Sequence, residues 1–279
     1  MSTAIRSIGV PINADVSGLE WTVTDLDALA ALIALITLGQ VEHAAEIIAT
    51  LALSVPVPTE AELFADARSQ MRIRGDTIPR RTASRIQRDG YLFECMSWIV
   101  ARQSGGSRTF LKDPHLDATM HGLDGLILEL APTGASITQA TICEDKCTKN
   151  PRKKFRDDVM KTFGEHHQNK RARDLIANAA ELIRDSGVRG TAAVQAAALV
   201  TDKKLRTYRA ALTTGPLDQD DRTALFAGYD GLGDIVQSQR IGAVLPLDEP
   251  VRDWFDSLAQ KVIDALNGFE DSMEKADNV

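Results

Sequence analysis

Two short apolar runs, joined by turn residues, constrain the fold of this chain more than any other feature. Residues 123–130 and 137–147 are together rich in leucine, isoleucine and threonine, and Pro132, Thr133 and Gly134 lie between them. Runs of this length, bounded by proline and glycine, are typical of paired strands. The segment therefore predicts a β-hairpin near the middle of the chain.

Helical patterns surround this hairpin. Thr24 and Asp27 mark the start of the first predicted helix, and Pro56 and Pro58 follow its end. The order of elements predicts an α/β domain with a helical N-terminal portion. The predicted helices cover residues 24–53, 59–74, 81–103, 155–186, 191–213 and 251–269, and further strands are predicted at 223–229 and 241–247.

The composition is that of a soluble globular protein, with 279 residues, 44% apolar and 25% charged. The longest apolar run, residues 28–36, is too short to cross a membrane and predicts a buried helix. The N-terminus lacks a secretory signal. Cys95, Cys143 and Cys147 form an odd set without a Cys-x-x-Cys pair, which favours a reducing, cytoplasmic location. Zinc is not favoured, because two further ligands are not placed nearby.

Basic residues are concentrated in two segments, although the net charge of the chain is −7. Residues 68–88 contain seven arginines and one acid, and residues 149–156 contain five basic residues and no acid. A charged run is often only a solvated face. A local basic surface can nevertheless bind nucleic acid in a protein that is acidic as a whole. The basic residues of the second segment are Lys149, Arg152, Lys153, Lys154 and Arg156.

Charged residues stand at one end of each strand of the predicted hairpin. Asp124 opens the first strand, and Glu144, Asp145 and Lys146 interrupt the end of the second. Side chains alternate along a strand, so Glu144 and Lys146 share one face while Asp145 points to the other. A hairpin can bring Asp124 onto the face of Glu144 and Lys146. The pattern predicts a patch of two carboxylates and one ammonium.

Such a patch suits phosphodiester hydrolysis. Carboxylate oxygens are the ligands that Mg²⁺ or Mn²⁺ prefers, and a bound ion activates water and offsets phosphate charge. Lys146 can orient the water or stabilise the transition state. A Glu-x-Lys tripeptide alone is common by chance. Its conjunction with Asp124 and a β-branched strand is more specific, because charges are poor choices for such a strand unless they have a function.

The residues Asp124 and Glu144-Asp145-Lys146 resemble the motif of the PD-(D/E)XK nuclease superfamily, with Leu123 where the family has proline. The resemblance covers residues 85–150. It implies a restriction-endonuclease-like fold, a mixed central sheet flanked by helices, in which Asp124 and Glu144 bind Mg²⁺ or Mn²⁺ and Lys146 is catalytic. The resemblance also implies that the chain divides into a helical extension at 1–80 and a nuclease-like domain at 81–279.

The resemblance also implies a further metal-site residue. Many members place a glutamate on the helix before the hairpin, and Glu94 matches that position; the alternative is a helix glutamate that reaches solvent. The basic residues at 149–156 leave the second strand directly, where a DNA backbone has to pass, and predict phosphate contacts. Lys170, Arg171 and Arg173 extend this surface, whereas the arginines at 68–88 contact either DNA or an acidic partner.

A narrower resemblance involves the whole chain. The helical lead-in, the GLDG and CEDKCT strands, the basic exit and the late LFAGY and IGAVLPL segments resemble nuclease subunits of the Hachiman antiphage defence system. That resemblance implies a DNA-cleaving effector held inactive by a partner helicase. No zinc finger or helix-turn-helix accompanies these segments, which favours low sequence specificity or specificity supplied by a partner.

Two other interpretations remain. In the first, the chain is a non-catalytic interaction module with a nuclease-like fold. In the second, it is an unrelated helical enzyme in which Glu144 lies on a helix or loop. Among the histidines, His166 and His167 are adjacent on a helix and cannot comfortably chelate one ion. His115 and His121 are expected to be surface or hydrogen-bonded residues, although His121 could approach the phosphate. Asp117 is a second-choice acid if the hairpin begins earlier.

Overall fold

The computed structural model describes residues 3–51, 57, 59–116, 122–132, 134 and 136–277. Within these residues, seven strands form one mixed sheet in the order β1-β2-β7-β6-β5-β4-β3. The strands are β1 (Ile5–Val10), β2 (Ser17–Val23), β3 (Thr109–Leu111), β4 (Gly125–Leu130), β5 (Ile137–Lys146), β6 (Arg206–Thr214) and β7 (Arg240–Pro246). The helices are α1 (Leu26–Thr37), α2 (Val41–Thr50), α3 (Ala61–Met71), α4 (Ile78–Ser104), α5 (Pro151–Lys154), α6 (Met160–His167), α7 (Ala172–Asp185), α8 (Gly190–Ala198), α9 (Gln219–Leu225) and α10 (Val251–Asp277).

Parallel strands form the centre of the sheet. Strands β2, β7, β6 and β5 run parallel to one another, and β1, β4 and β3 add antiparallel pairs at the two edges. Every residue of β6 is buried, as expected for a strand that is covered on both faces. The catalytic candidates on β5 are therefore held between the hairpin partner β4 and the innermost strand β6.

Each face of the sheet carries its own apolar core. On one face, α1, α4 and α10 pack around Trp21, Phe93 and Phe255. On the other face, the aromatic residues Phe155 and Tyr229 contact each other at a ring distance of 5.1 Å among residues of α5 to α9. A five-residue π-helical turn, Phe155–Val159, joins α5 to α6. The result is a sheet flanked by helices on both sides, an α/β architecture as predicted.

Several predicted elements are confirmed. The β4–β5 hairpin is antiparallel, α4 covers the helix predicted at 81–103, and β7 and α10 occupy the last predicted strand and helix. The apolar run 28–36 lies in α1, where nearly all of its residues are buried. In the described part of the chain, each helix is too short or too polar to cross a bilayer.

Two predicted elements after the hairpin are wrong. The helix predicted at 191–213 ends at Ala198, and its last third is strand β6. The strand predicted at 223–229 is instead the end of α9 and a short 3₁₀ turn, Tyr229–Gly231. A capping box between Asp218 and Asp221 starts α9, because each side chain accepts a hydrogen bond from the other residue's backbone.

The N-terminal portion also differs from the prediction. Residues 5–23 form β1 and β2, which belong to the same sheet as the hairpin rather than to a helical extension. The helix predicted at 24–53 is divided into α1 and α2 by Gly39, whose φ of 76° is a left-handed conformation that favours glycine. Helix α4 runs through the predicted boundary between residues 80 and 81. Pro56, Pro58 and Thr133 lie outside the described residues.

Candidate active site

Asp124 lies immediately before β4 and is tied to the strand opposite. The antiparallel register of β4 and β5 places it opposite Glu144. Its Oδ2 accepts a hydrogen bond from the backbone N–H of Asp145 at 3.1 Å and another from Nζ of Lys146 at 2.5 Å. The pairing of the hairpin therefore fixes the Asp124 carboxylate over the end of β5.

Lys146 brings the two carboxylates of the predicted patch together. Its Nζ lies 2.5 Å from Oδ2 of Asp124 and 2.9 Å from Oε2 of Glu144. Because both oxygens contact the same nitrogen, they lie within a few ångströms of each other. The Glu144 side chain is only 5% exposed, whereas those of Asp124 and Lys146 are 22% and 27% exposed. The patch thus has a buried acid at its base and two partly accessible groups above it.

Burial and mutual charge change the acidity of this patch. Burial, and then the negative charge of Asp124, raise the pKa of Glu144 to about 7, against the opposing effect of Lys146. Burial alone disfavours the Lys146 ammonium, but the Asp124 and Glu144 carboxylates outweigh it and raise the pKa of Lys146. The ammonium is therefore retained at neutral pH, and the two carboxylates still have negative charge to offer a second cation.

Asp145 points to the opposite face of β5, as the alternation of the strand predicts. Its Oδ1 lies 3.8 Å from a guanidinium nitrogen of Arg209 on β6, and that guanidinium donates a hydrogen bond to Oγ of Ser97 on α4. Burial raises the pKa of Asp145 to about 6, although Arg209 and Ser97 lower it. Arg209 also lies over the ring of Trp21, 5.6 Å from its centroid. These contacts join β5, β6 and α4.

Glu94, the expected third metal-site residue, is engaged by a histidine. Its carboxylate accepts a hydrogen bond from the backbone N–H of His115 at 2.9 Å and contacts Nδ1 of the same residue. Glu94 lies on α4 and lines a small cavity of about 20 Å³ together with Asp124 and Asp145. It is near the patch, but it faces the α4 side of β5, where its hydrogen-bonding capacity is used by His115.

The metal-site set is therefore only partly assembled. In the described ranges, no group of three or more His, Cys, Asp and Glu residues is arranged to hold a metal ion. The structure brings Asp124 and Glu144 together on Lys146, whereas Glu94 shares the small cavity with Asp124 and is held by His115. Mg²⁺ is commonly held by one or two carboxylates while water and substrate phosphate fill its other positions. Two adjacent acids that already surround one cationic nitrogen fit that donor set.

Three of the five residues of the predicted basic surface are engaged within the chain. Arg152 donates hydrogen bonds to the carbonyl oxygens of Leu225 and Ala227 at 3.0 and 2.8 Å, so it fastens the end of α9. Lys154 lies 2.5 Å from Asp158, and Arg156 lies 2.7 Å from Asp157. Lys149 and Lys153 are exposed, with no ion pair among the described residues. These two lysines are the best remaining phosphate contacts of the run.

The arginines at 68–88 mainly connect helices. Arg68 pairs with Glu270 at 2.5 Å, and Arg85 and Arg88 pair with Asp256 at 2.8 and 2.5 Å. Three arginines of α3 and α4 thus contact acids of α10. On the opposite side of the molecule, Arg171 forms a looser pair with Glu165 at 3.4 Å. Much of the arginine cluster is accounted for by internal ion pairs rather than by a free basic face.

Burial determines the acidity of the remaining described candidates, two histidines and two cysteines. His166 and His167 are buried on α6, and burial lowers the pKa of both, that of His166 to about 4. His167 contacts the Tyr208 hydroxyl at 3.1 Å. Burial raises the pKa of Cys143 and Cys147 to about 12, so both thiols stay protonated at neutral pH. Asp117 and His121 lie outside the described residues.

The position of Glu144 on a strand contradicts one of the two alternative interpretations. An unrelated helical enzyme requires this residue on a helix or loop, whereas Glu144 lies within β5.

Two sets of contacts around the patch were not predicted from the sequence. Arg209 and Ser97 contact Asp145, and His115 contacts Glu94. For Arg209 the available signal was an arginine between tyrosine and alanine in a run without helical periodicity. The pairing of His115 with Glu94 has no local signal, because 21 residues separate them.

Comparisons with protein-family models, with curated proteins and with solved structures found no match to this chain. The function is therefore inferred from the patch itself.

Proposed function

We propose that this chain is a metal-dependent nuclease that hydrolyses DNA, built on a restriction-endonuclease-like fold. The observation that carries the proposal is the contact of Lys146 Nζ with both Asp124 and Glu144 at the end of β5. Two acids and one lysine on a single face form the constellation that the PD-(D/E)XK resemblance implies. The mixed sheet with helices on both faces agrees with the coarse fold that the same resemblance implies.

The residues of the patch have distinct tasks in this proposal. Asp124 and Glu144 would hold Mg²⁺ or Mn²⁺, which when bound activates water and offsets phosphate charge. Lys146 keeps its proton, so its ammonium is available to orient water or to stabilise negative charge on the phosphorus centre. Its exposed fraction of 27% leaves it within reach of a substrate. Glu94 would act only indirectly, through His115.

DNA is the proposed substrate, and the exposed lysines at 149 and 153 are its proposed backbone contacts. Phosphate neutralisation by such residues gives affinity that depends on salt and little on sequence. Two of the five basic residues pair with acids, and Arg152 is engaged by carbonyl oxygens, so Lys149 and Lys153 are the exposed residues of the run without a partner in the described part of the chain. The chain alone therefore offers a small DNA surface. This supports a second part of the proposal: a partner protein completes substrate binding.

The resemblance to Hachiman nuclease subunits gives that partner a class. We propose that the chain is a cytoplasmic antiphage effector controlled by a helicase or another ATPase. In this proposal, the ion pairs of Lys146 with both acids and the contact of Glu94 with His115 are the interactions that the partner would change on activation.

Plasmid nicking tests the catalytic proposal. We expect the purified chain to nick plasmid DNA in the presence of Mn²⁺, either alone or together with any ATPase that is encoded beside its gene. The Glu144→Ala/Lys146→Ala variant should lose at least about 100-fold in nicking rate. The double variant Glu249→Ala/Lys204→Ala alters two exposed residues of the same types and serves as the matched control. Chelation of the metal should stop cleavage by the wild type.

Two results would contradict the nuclease. Equal nicking by the wild type and the patch variant would indicate contamination or a different site. Absence of nicking by the wild type under every condition, with DNA binding that the patch variant retains, would favour the non-catalytic interaction module. Because Glu94 would act only indirectly, Glu94→Gln should reduce the nicking rate less than the Glu144→Ala/Lys146→Ala variant does.

A further inference from the structure

A large groove opens at the β3 edge of the sheet, and Trp98, Leu111 and Lys112 line both this groove and the small cavity beside Asp124. It has a volume of about 960 Å³. Its walls come from one side of α2, from the C-terminal ends of α4 and α7 and from β3 itself. In the described part of the chain, β3 is the last strand of the sheet and pairs only with β4. The groove therefore lies where an eighth strand would be added.

The backbone of β3 offers hydrogen bonds to this groove. Lys112 N–H donates to the Leu126 carbonyl, and Leu130 N–H donates to the Arg108 carbonyl. In an antiparallel pair the residues that face the partner alternate with residues that face away. Leu111 is one residue from Lys112, so its N–H and C=O point away from β4. These are the groups to which an added strand binds.

The charge of the groove is negative. Four carboxylates line it. Partial burial, and then the charges of Glu42 and Asp185, raise the pKa of Asp113, which is the effect expected of crowded acids. Arg102 and Lys112 also line the groove and offset part of this charge. The four acids are Glu42, Asp113, Glu181 and Asp185.

A buried donor without a partner adds an independent sign of a missing ligand. The indole Nε1 of Trp98 has no hydrogen-bond partner among the described residues, and Trp98 is 7% exposed and lines both the groove and the small cavity beside Asp124. Buried polar groups are normally satisfied, so an unpaired indole N–H at a groove wall indicates an acceptor supplied from outside. A peptide carbonyl is such an acceptor.

We propose that the β3 edge binds an extended segment of another protein, with lysine or arginine side chains facing the acids of the groove. The segment hydrogen-bonds to Leu111 as an added strand, and its basic side chains contact Asp113, Glu181 and Asp185. Nucleic acid is repelled by the same charge. A second copy of this chain is disfavoured, because symmetric pairing of two β3 strands brings two acidic grooves together. The proposal does not depend on nuclease activity.

Peptide pools test this proposal on the full chain. The probes are biotinylated peptides of about nine residues, roughly 30 Å when extended, with lysine, serine or glutamate at every second position and mixed β-branched residues between. We expect the lysine pool to be retained most strongly. Leu111→Pro removes a backbone N–H that faces away from β4 and should weaken retention of the lysine pool about tenfold. Leu111→Ala also removes the leucine side chain but keeps that N–H, so it serves as the control.

A charge variant separates the two parts of the recognition. Asp113→Asn/Glu181→Gln/Asp185→Asn should weaken binding of the lysine pool at least about tenfold at low salt, and the control Asp220→Asn/Glu249→Gln/Asp271→Asn, which removes three exposed acids elsewhere, should not. Melting temperatures and circular dichroism establish that each variant is folded.

Three outcomes overturn the proposal. The first is a lysine pool that is retained no better than the serine pool. The second is equal retention by the wild type, the folded Leu111→Pro variant and the folded charge variant. The third is a dimer of the wild type in sedimentation that Leu111→Pro dissociates, because a second copy then occupies the edge. A failure of plasmid nicking leaves each of these readouts unchanged.

Discussion

At the scale of single residues, three consecutive charges on β5 have three different environments. Glu144 and Lys146 share a face and contact each other at 2.9 Å, while Asp145 faces Arg209 on the other side. A charged side chain within a buried strand is costly unless it is paired. Each of these charges has an opposite charge nearby. Because Asp124 and Glu144 share the single ammonium of Lys146, the negative charge of Glu144 is only partly balanced.

Glu144 therefore makes stability depend on pH. Its pKa is raised to about 7 in the folded state from 4.5 in the unfolded chain, so the stability it contributes is full below 4.5 and is lost as the pH rises through 7. We expect Glu144→Gln, measured by urea unfolding in EDTA, to gain on the order of 1 to 3 kcal/mol relative to the wild type between pH 5 and pH 8. An equal difference at the two pH values would contradict the raised pKa.

Alternation and hairpin pairing are enough to predict the patch from the sequence. They place Asp124, Glu144 and Lys146 together without any knowledge of the remaining fold. The arrangement of Glu94 was not predictable in this way, because its direction depends on His115, a loop residue whose position is set by tertiary packing. Asp145 was correctly assigned to the other face, but its partner Arg209 lies on a strand that was predicted as helix.

At the scale of elements, β6 owes its position to close packing rather than to a sequence pattern, whereas β7 was predicted from its apolar run. Both faces of β6 are buried, so its residues show no alternation, and the alanines at 210 and 211 suit a helix equally well. This is why the strand was predicted as helix. The segment after it was predicted as strand from its apolar and aromatic residues, but the capping box begins a helix there. The β4–β5 hairpin, in contrast, carries its own turn signals.

Gly242 on β7 shows how tight this packing is. A Cβ at this position would lie 2.7 Å from the ring of Phe226. We expect Gly242→Ala to lower the free energy of unfolding by about 1 to 3 kcal/mol, because the ring has to move within a packed core. Gly268 in α10 has no neighbour within 4 Å of its added Cβ, so Gly268→Ala should instead stabilise by about 0.5 to 1 kcal/mol.

Chemical denaturation of both glycine variants provides the measurement. Equal, small effects at the two positions would show that Phe226 can move freely and that β7 is less tightly packed than the contacts indicate.

At the scale of the whole molecule, a buried ion network joins α10 to α4. Asp89 is fully buried, 2.6 Å from a guanidinium nitrogen of Arg88 and in contact with Arg252 of α10. Arg252 also contacts Sγ of Cys147, the residue that follows the end of β5. The network thus links the last helix of the chain, the helix that carries Glu94 and the strand that carries the patch.

Removing the charge of Asp89 should loosen this link. We expect Asp89→Asn to lower the free energy of unfolding by about 3 kcal/mol, because Arg252 loses its counter-charge and the buried Arg88 keeps only Asp256. Asp76→Asn breaks a pair with Arg80 whose side chains are both 72% exposed, and it should cost less than about 1 kcal/mol. Urea titrations compare the two, and similar losses would mean that the buried network contributes no more than a surface pair.

The strand order also has a consequence for synthesis on the ribosome. Strand β2 is made before β5 and β6, but it pairs with β7, which begins at Arg240, so β7 has to enter between β2 and β6. A nascent polypeptide that stops before β7 already contains Asp124, Glu144 and Lys146 but lacks the strand that closes the sheet. We therefore expect the proposed nuclease activity to appear only after β7 has been synthesised and has joined the sheet.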